Sequence, residues 1–353
     1  MNSTTQLRRG HAIGAKSLIP AFLLALLLAT TLAAQEDNPS TEPQEEGWGT
    51  TACSIAPDVQ VETSLGTIKP SNVYTKAGYG TGGVALRNRR TGNVGISGVV
   101  APAKAAFIYW AVITNGAPGK ADKSIEVQRL YPTPASTVTT VAGTVIGTGS
   151  TPCWPGNTIT VFRASIPLTL ATGNGSYQVT LLSGAAATTN GADPWLTAAD
   201  PLFEGASIVI VGAGSGTVAI YDTGLAGNTF ISLPGLTYTL ALPSAAPGTQ
   251  TLFDNIGADG QFGSSRSAAL GLADEVTTIN SVHIAGPGSG YVDSDWNGSS
   301  GLPLPQLWDD TGHDITAATP KGKTSLSVSI ESSTSSAPSY DCLTTVANVV
   351  EIR

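Results

Sequence analysis

Residues Ala103 to Thr114 read AKAAFIYWAVIT. The run is continuous, aromatic and β-branched, with no polar face from Ala105 onward. Such a run is a strand covered on both sides, because an exposed face would demand polar residues at every second position. A strand of that kind needs neighbours in its own sheet and a further layer on each face, so it commits the chain to a β architecture. Tyr109 and Trp110 are expected in the core, as large aromatics usually are.

The flanking sequence agrees. Val59, Val61 and Thr63 alternate with Gln60 and Glu62. Strand-like runs recur at 124–130, 137–148, 157–166, 176–182, 229–233, 236–242, 251–253, 276–284, 325–331 and 343–352, separated by Pro, Gly and Asn-Gly signals. The expected fold is therefore all-β: a two-sheet antiparallel β-sandwich, jelly-roll-like, with long glycine-rich loops. The GYGTGG run at 78–83 reads as a turn-rich connection. Residues 205–222 read as a hairpin with a glycine turn at Gly212, Gly214 and Gly216. Those glycines do not make a dinucleotide fingerprint, because a strand rather than a helix follows them. No repeat of fixed period appears, which disfavours solenoids and propellers.

The N-terminus reads as a secretory leader. Arg8, Arg9 and Lys16 precede an apolar run from Leu18 to Leu32, and small residues at Thr31, Ala33 and Ala34 offer a cleavage site. Residues 1–34 are thus expected to be a signal peptide, 35–48 a disordered acidic spacer, and 49–353 the secreted domain, with a subdivision near 190–204 as an option. Secretion to the extracellular space or cell surface follows, with no membrane insertion after cleavage. A membrane-anchored leader is the alternative. Cleavage leaves 14 basic residues against 25 acidic ones, a net charge of −11. No basic stripe interrupts that balance, so nucleic acid is not an expected partner. Of Cys53, Cys153 and Cys342, two are expected to pair in an oxidising compartment. Cys53–Cys342 and Cys153–Cys342 are comparable candidates, and three buried thiols are the alternative.

Residues 286–314 hold five aspartates, two tryptophans and one of the two histidines after the leader. Within them Asp293, Asp295 and Asn297, followed by Gly298, are spaced like the first half of a calcium loop, where alternate oxygens converge as the backbone curls. Ser299 adds a carbonyl. The twelfth position is Leu304, so a closing carboxylate has to come from elsewhere, such as Asp309, Asp310 or a residue of the Asp254 to Asp259 segment, Asp259 first among them. The same residues also suit Asx-turns that need no ion. Trp296, Trp308 and His313 beside these acids suggest a glycan-binding cleft; the competing reading has the tryptophans capping a loop and the histidine bonding to backbone. His313 with Asp314 or Asp310 does not make a hydrolase triad: no nucleophile elbow exists, and adjacent residues such as His313 and Asp314 point apart on a strand. A two-carboxylate glycosidase stays open without specific support.

Six short motifs occur in order: Phe107–Trp110 (FIYW), Glu204–Val211 (EGASIVIV), Ala258–Gln261 (ADGQ), Asp295–Gly298 (DWNG), Leu307–Asp309 (LWD) and Asp341–Leu343 (DCL). In this the chain resembles a domain of unknown function found in secreted and cell-surface proteins of bacteria and archaea. The resemblance spans roughly Asp58 to Arg353. It implies an extracellular β-rich fold with adhesive or surface-layer roles, and offers no catalytic residues. The function expected is a secreted, non-enzymatic surface or adhesion protein that binds a glycan or a cell-surface protein. An extracellular polysaccharide hydrolase and a purely structural envelope protein are the alternatives.

Overall fold

The computed structural model describes residues 63–87, 89–150, 156–183, 201–226, 230–232, 235–258, 275–286, 295–296, 308–332 and 342–353. The expected signal peptide and spacer, Cys53, Cys153 and the 190–200 part of the possible subdivision lie outside them.

The chain is all-β. In order the strands are β1 (Thr63–Ile68), β2 (Asn72–Ala85), β3 (Thr91–Ile96), β4 (Val100–Thr114), β5 (Ser124–Tyr131), β6 (Thr139–Ala142), β7 (Thr144–Ser150), β8 (Thr158–Ser165) and β9 (Gly175–Leu181). Then come β10 (Leu202–Tyr221), β11 (Phe230–Ser232), β12 (Gly235–Ala241), β13 (Thr251–Ala258), β14 (Glu275–Ile279), β15 (Val282–Ala285), β16 (Trp308–Asp314), β17 (Ser325–Ser332) and β18 (Cys342–Ile352).

The strands form sandwiched antiparallel sheets, as expected, and among the described residues the sheets are three where two were expected. A large sheet runs β16-β13-β18-β10-β4-β8-β7, with β11 on β18 and β2 on β10. A four-stranded sheet, β3-β9-β5-β6, and a five-stranded sheet, β1-β12-β17-β14-β15, complete the set. The β1–β12 pair is parallel. The large sheet needs two partners because its central strands are apolar on both faces. On β4, Ile108, Trp110 and Val112 enter one core with Val94, Ile125 and Tyr177, while Tyr109 and Ile113 enter a second with Val209, Val218 and Ile256. A third core gathers Tyr238, Phe253, Val328 and Val350.

Two glycine-rich runs correct the sequence reading. Residues 78–83 are not a connection but the middle of β2. A Cβ at Gly80 would lie 2.1 Å from the Ser97 carbonyl oxygen, and one at Gly82 would lie 2.3 Å from that of Gly95. These glycines are there so that β2 and the neighbouring backbone can close to within contact. Likewise 202–221 is one strand, not a hairpin. Its register against β2 shifts between Ala213 and Thr217, a bulge at the glycines, after which pairing continues to Ile220.

Trp308–Asp314, read from sequence as part of a polar loop, is strand β16. It forms one end of the large sheet and pairs with β13.

Candidate functional site

The β13–β16 pair decides where the polar residues of 308–314 go. Phe253 lies opposite His313, Asn255 opposite Thr311, Asp254 opposite Gly312 and Ile256 opposite Asp310. Paired residues share a face, so Thr311 and His313 project to one side of the sheet and Asp310 to the other.

On the first face stands Asp295, fully buried, with a left-handed backbone (φ +67°) that aspartate tolerates better than most residues. Its Oδ1 accepts a hydrogen bond from the Thr311 hydroxyl at 2.7 Å, and the His313 Nε2 lies 2.6 Å away. A carboxylate only accepts, so the Nε2–H of His313 donates to it. The pairing spans 18 residues and joins His313 to neither of its sequence neighbours Asp310 and Asp314. Nearby, Tyr238 donates to Asn348 at 2.9 Å, and the Asn348 amide donates to Asn255 Oδ1 at 3.0 Å, carrying the polar network inward.

A hollow of about 330 Å³ opens beside this cluster, lined by His283 and Ile284 of β15 and by His313, Asp314, Ile315 and Ala318 among others. His283 and His313 thus line one cavity. The His283 Nε2 is buried there without a hydrogen-bond partner. Asp314 is held by the backbone N–H of Thr316 at 3.0 Å and by that residue's hydroxyl, which keeps its carboxyl below the usual range.

The opposite face packs on β2. Asp254 accepts from the Tyr79 hydroxyl through Oδ2 and from Thr81 Oγ1 at 2.9 Å through Oδ1. Burial is the main force pushing Asp254 up to about 6, with Asp295 adding to it; Tyr79, Thr81 and His313 pull the other way. Burial, then the charge of Asp254, pushes Asp310 up to about 7 against the nearby hydroxyls of Ser207 and Thr81.

The expected site residues separate accordingly. Asp293, Asn297, Ser299 and Asp259 lie outside the described residues. Asp295 and Asp309 are both fully buried, and Asp295 is engaged by Thr311 and His313. No group of three His, Cys, Asp or Glu side chains placed to hold a metal ion occurs among the described residues. Trp296 and Trp308 are corrected from ligand platforms to core. Each is fully buried, the first with its ring over Gly257 and the second with its ring over Gly205. Both glycines lack the side chain that would hold the indole off, so no ring face remains for a sugar. His313 lines the hollow. His283 and Tyr79 were missed by sequence reasoning, and Asp254 entered it only within a segment that could close a calcium loop; the only signal for His283 was the rarity of histidine, three in the whole chain.

No family model matches the chain, and no curated protein matches it. Among solved structures it is similar to the ANXUR2 extracellular domain from Arabidopsis thaliana, at 7% identity over 75% of this chain and 82% of that one, with a TM-score of 0.26. The ANX2 ectodomain from the same plant gives 8% identity over 80% and 82%, with a TM-score of 0.25. The CUB1-EGF-CUB2 domain of human MASP-1/3 gives 8% over 78% and 99%, with a TM-score of 0.17. Likeness at this level says nothing of what the chain binds. No helix among the described residues is long and apolar enough to cross a membrane.

Proposed function

We propose that the chain is a secreted, non-enzymatic β-sandwich that binds an extracellular partner through the hollow beside His313, with a glycan as the ligand class. The observation behind this is the lining of that hollow. His283, His313 and the exposed Asp314 supply hydrogen-bonding groups, and Val282, Ile284 and Ala317 supply small apolar walls. A hydroxyl-rich ring with one apolar face needs such a mixture. Asp295 supports the site by fixing the orientation of the His313 ring from behind. Two-carboxylate hydrolysis draws no support from Asp254 and Asp310: they are buried against β2, on the face away from the hollow.

A glycan array probed with the mature chain tests this, with His283→Ala as the control variant. His283 has no hydrogen-bond partner to lose, so the variant should keep the wild-type melting temperature. Its affinity for the bound glycan class should fall about tenfold, equivalent to some 1.4 kcal/mol. Undiminished binding by His283→Ala, or no glycan bound at all, would remove the hollow from the reading.

Calcium at Asp293, Asp295, Asn297 and Ser299, closed by Asp309 or Asp259, belongs to the same proposal as a loop-stabilising ion. A ligand of the folded state alone raises the melting temperature. EGTA should therefore lower it, and a melting curve unmoved by EGTA would strike the ion from the proposal.

A further inference from the structure

The four-stranded sheet β3-β9-β5-β6 packs one face on the large sheet, through Val94, Ile125, Val127, Tyr177 and Val179. Side chains alternate along a strand, so the residues between these point to solvent. The register sets them in rows. Asn93 of β3 lies opposite Gln178 of β9, and Gln178 opposite Gln128 of β5. In the next row Gly95 of β3 lies opposite Ser176, and Ser176 opposite Tyr131.

A solvated sheet face needs only polar residues, and any kind would serve. The first row is more selective: every member is a carboxamide, with a donor and an acceptor side by side. Neighbouring strands stand about 4.8 Å apart, so the row spans about 10 Å. Asn93 is exposed and Gln178 half-buried, and no partner among the described residues engages either amide. The Gln128 Nε2 donates to the Ser136 carbonyl at 2.8 Å, which fixes that amide and leaves its oxygen as an acceptor.

The second row is low and ends in an aromatic wall. A Cβ at Gly95 would meet nothing within 4 Å, and Ser176 is small. Tyr131 is 63% exposed, more than any other large apolar side chain among the described residues. Its ring is an apolar plane with a hydroxyl at the tip. Arg129, beside it, is committed: its guanidinium donates to the Thr172 hydroxyl at 2.9 Å and to the Pro134 carbonyl at 3.2 Å. Of the strand residues on this face Glu126 alone is charged, and it stands one row beyond the amides, opposite Thr180 and Thr140.

We propose that the outer face of β3, β9 and β5 is a binding site for a neutral polysaccharide. The polymer lies in the trough over Gly95 and Ser176, with one ring stacked on Tyr131 and its hydroxyls bonded by the amides of Asn93, Gln178 and Gln128. A carboxamide serves two adjacent hydroxyls at once, donating to one and accepting from the other. An exposed aromatic plane beside a few placed polar groups suits a sugar ring, which has apolar faces and a polar rim. An anionic polymer finds no uncommitted cation here, and the acidic balance of the chain opposes it. A cationic one meets only Glu126. The site shares no strand with the hollow and does not depend on it.

Native electrophoresis of the mature chain through gels containing β-glucan, mannan or xylan tests this, with polygalacturonate as the charged control. At least one neutral polymer should retard the wild type, and polygalacturonate should not. Gln178→Ala removes an amide and Tyr131→Ala the stacking plane; each should weaken the affinity about tenfold. Gly95→Gln should weaken it as much by filling the trough. Space is open outside Gly95, and glycine is itself unfavourable within a strand, so this variant should melt no lower than the wild type. Full retardation of Gly95→Gln and Gln178→Ala overturns the site, and so does a lack of retardation by every neutral polymer. Retardation lost in His283→Ala but kept in all three sheet variants would seat the polymer in the hollow, which overturns the sheet site and leaves the hollow standing. Polygalacturonate retarding the wild type as strongly as the neutral polymers do overturns the proposed selectivity. A wild-type dimer that Gly95→Gln dissociates would mean that a second copy covers the face, which overturns the proposal too.

Discussion

Arg87→Ala should be among the most damaging single substitutions in this protein, and its damage should grow with pH. Arg87 follows β2 and is 2% exposed; Glu204, near the start of β10, is fully buried. The two form a buried ion pair through Arg87 Nη2 and Glu204 Oε1. Burial pushes the Glu204 carboxyl up, while the Arg87 charge and hydrogen bond hold it down. Removing the arginine leaves a buried carboxyl with no counter-charge, a loss of about 3–5 kcal/mol. Glu204 then folds protonated, with its value raised well above that in the unfolded chain, about 4.3. For such a group the cost is absent in acid, where both states are protonated, and accrues as pH rises. The deficit of Arg87→Ala relative to the wild type should thus be larger at pH 8 than at pH 5 in urea denaturation. Replacing both partners, as Arg87→Met with Glu204→Leu, should recover most of the loss, because a buried pair is often worth little against well-packed apolar residues. A deficit under about 1 kcal/mol, or one equal at both pH values, would show that the pair does not hold β2 to β10 as described.

How much of this was legible in the sequence depends on the range of the interaction. The both-faces strand at 103–114 was, because burial on two sides writes itself into consecutive residues. Ile108 and Tyr109 are neighbours in the chain and sit in different cores. The glycines of β2 and β10 were misread because a glycine says locally only that a Cβ is missing. Whether the backbone turns there or another layer presses on it depends on partners elsewhere. Gly83, for instance, lies beneath Asp310 and Trp308. Strand β16 was missed because Asp, Gly and His form strands poorly; pairing with β13 overrides that preference. The site was still less legible. His313 was tested against Asp314 and Asp310, its neighbours in sequence, and its partner is Asp295. Tyr79 and Asp254 are 175 residues apart, and no spacing rule relates them.

Trp308 is where the sequence reading and the structure lead to opposite experiments. A ligand-platform tryptophan can be cut back with loss of binding and little loss of stability. The Trp308 of this structure is fully buried, donates its indole N–H to Ser207 at 2.9 Å and covers Gly205. Trp308→Ala should therefore cost about 3–5 kcal/mol, from lost transfer energy and from the cavity left behind. Fit can be tested separately from size. A Cβ at Gly205 would lie 2.4 Å from the Trp308 Cγ, so Gly205→Ala should cost about 1–3 kcal/mol by overpacking. In a Trp308→Leu background the ring is gone, and the same Gly205→Ala change should cost distinctly less. The cycle should give a coupling of about 1 kcal/mol or more, as residues in direct contact do. Additive costs would mean that the indole does not rest on Gly205. A Trp308→Ala protein as stable as the wild type would return the ring to the surface, and with it the reading of Trp308 as a platform for sugar.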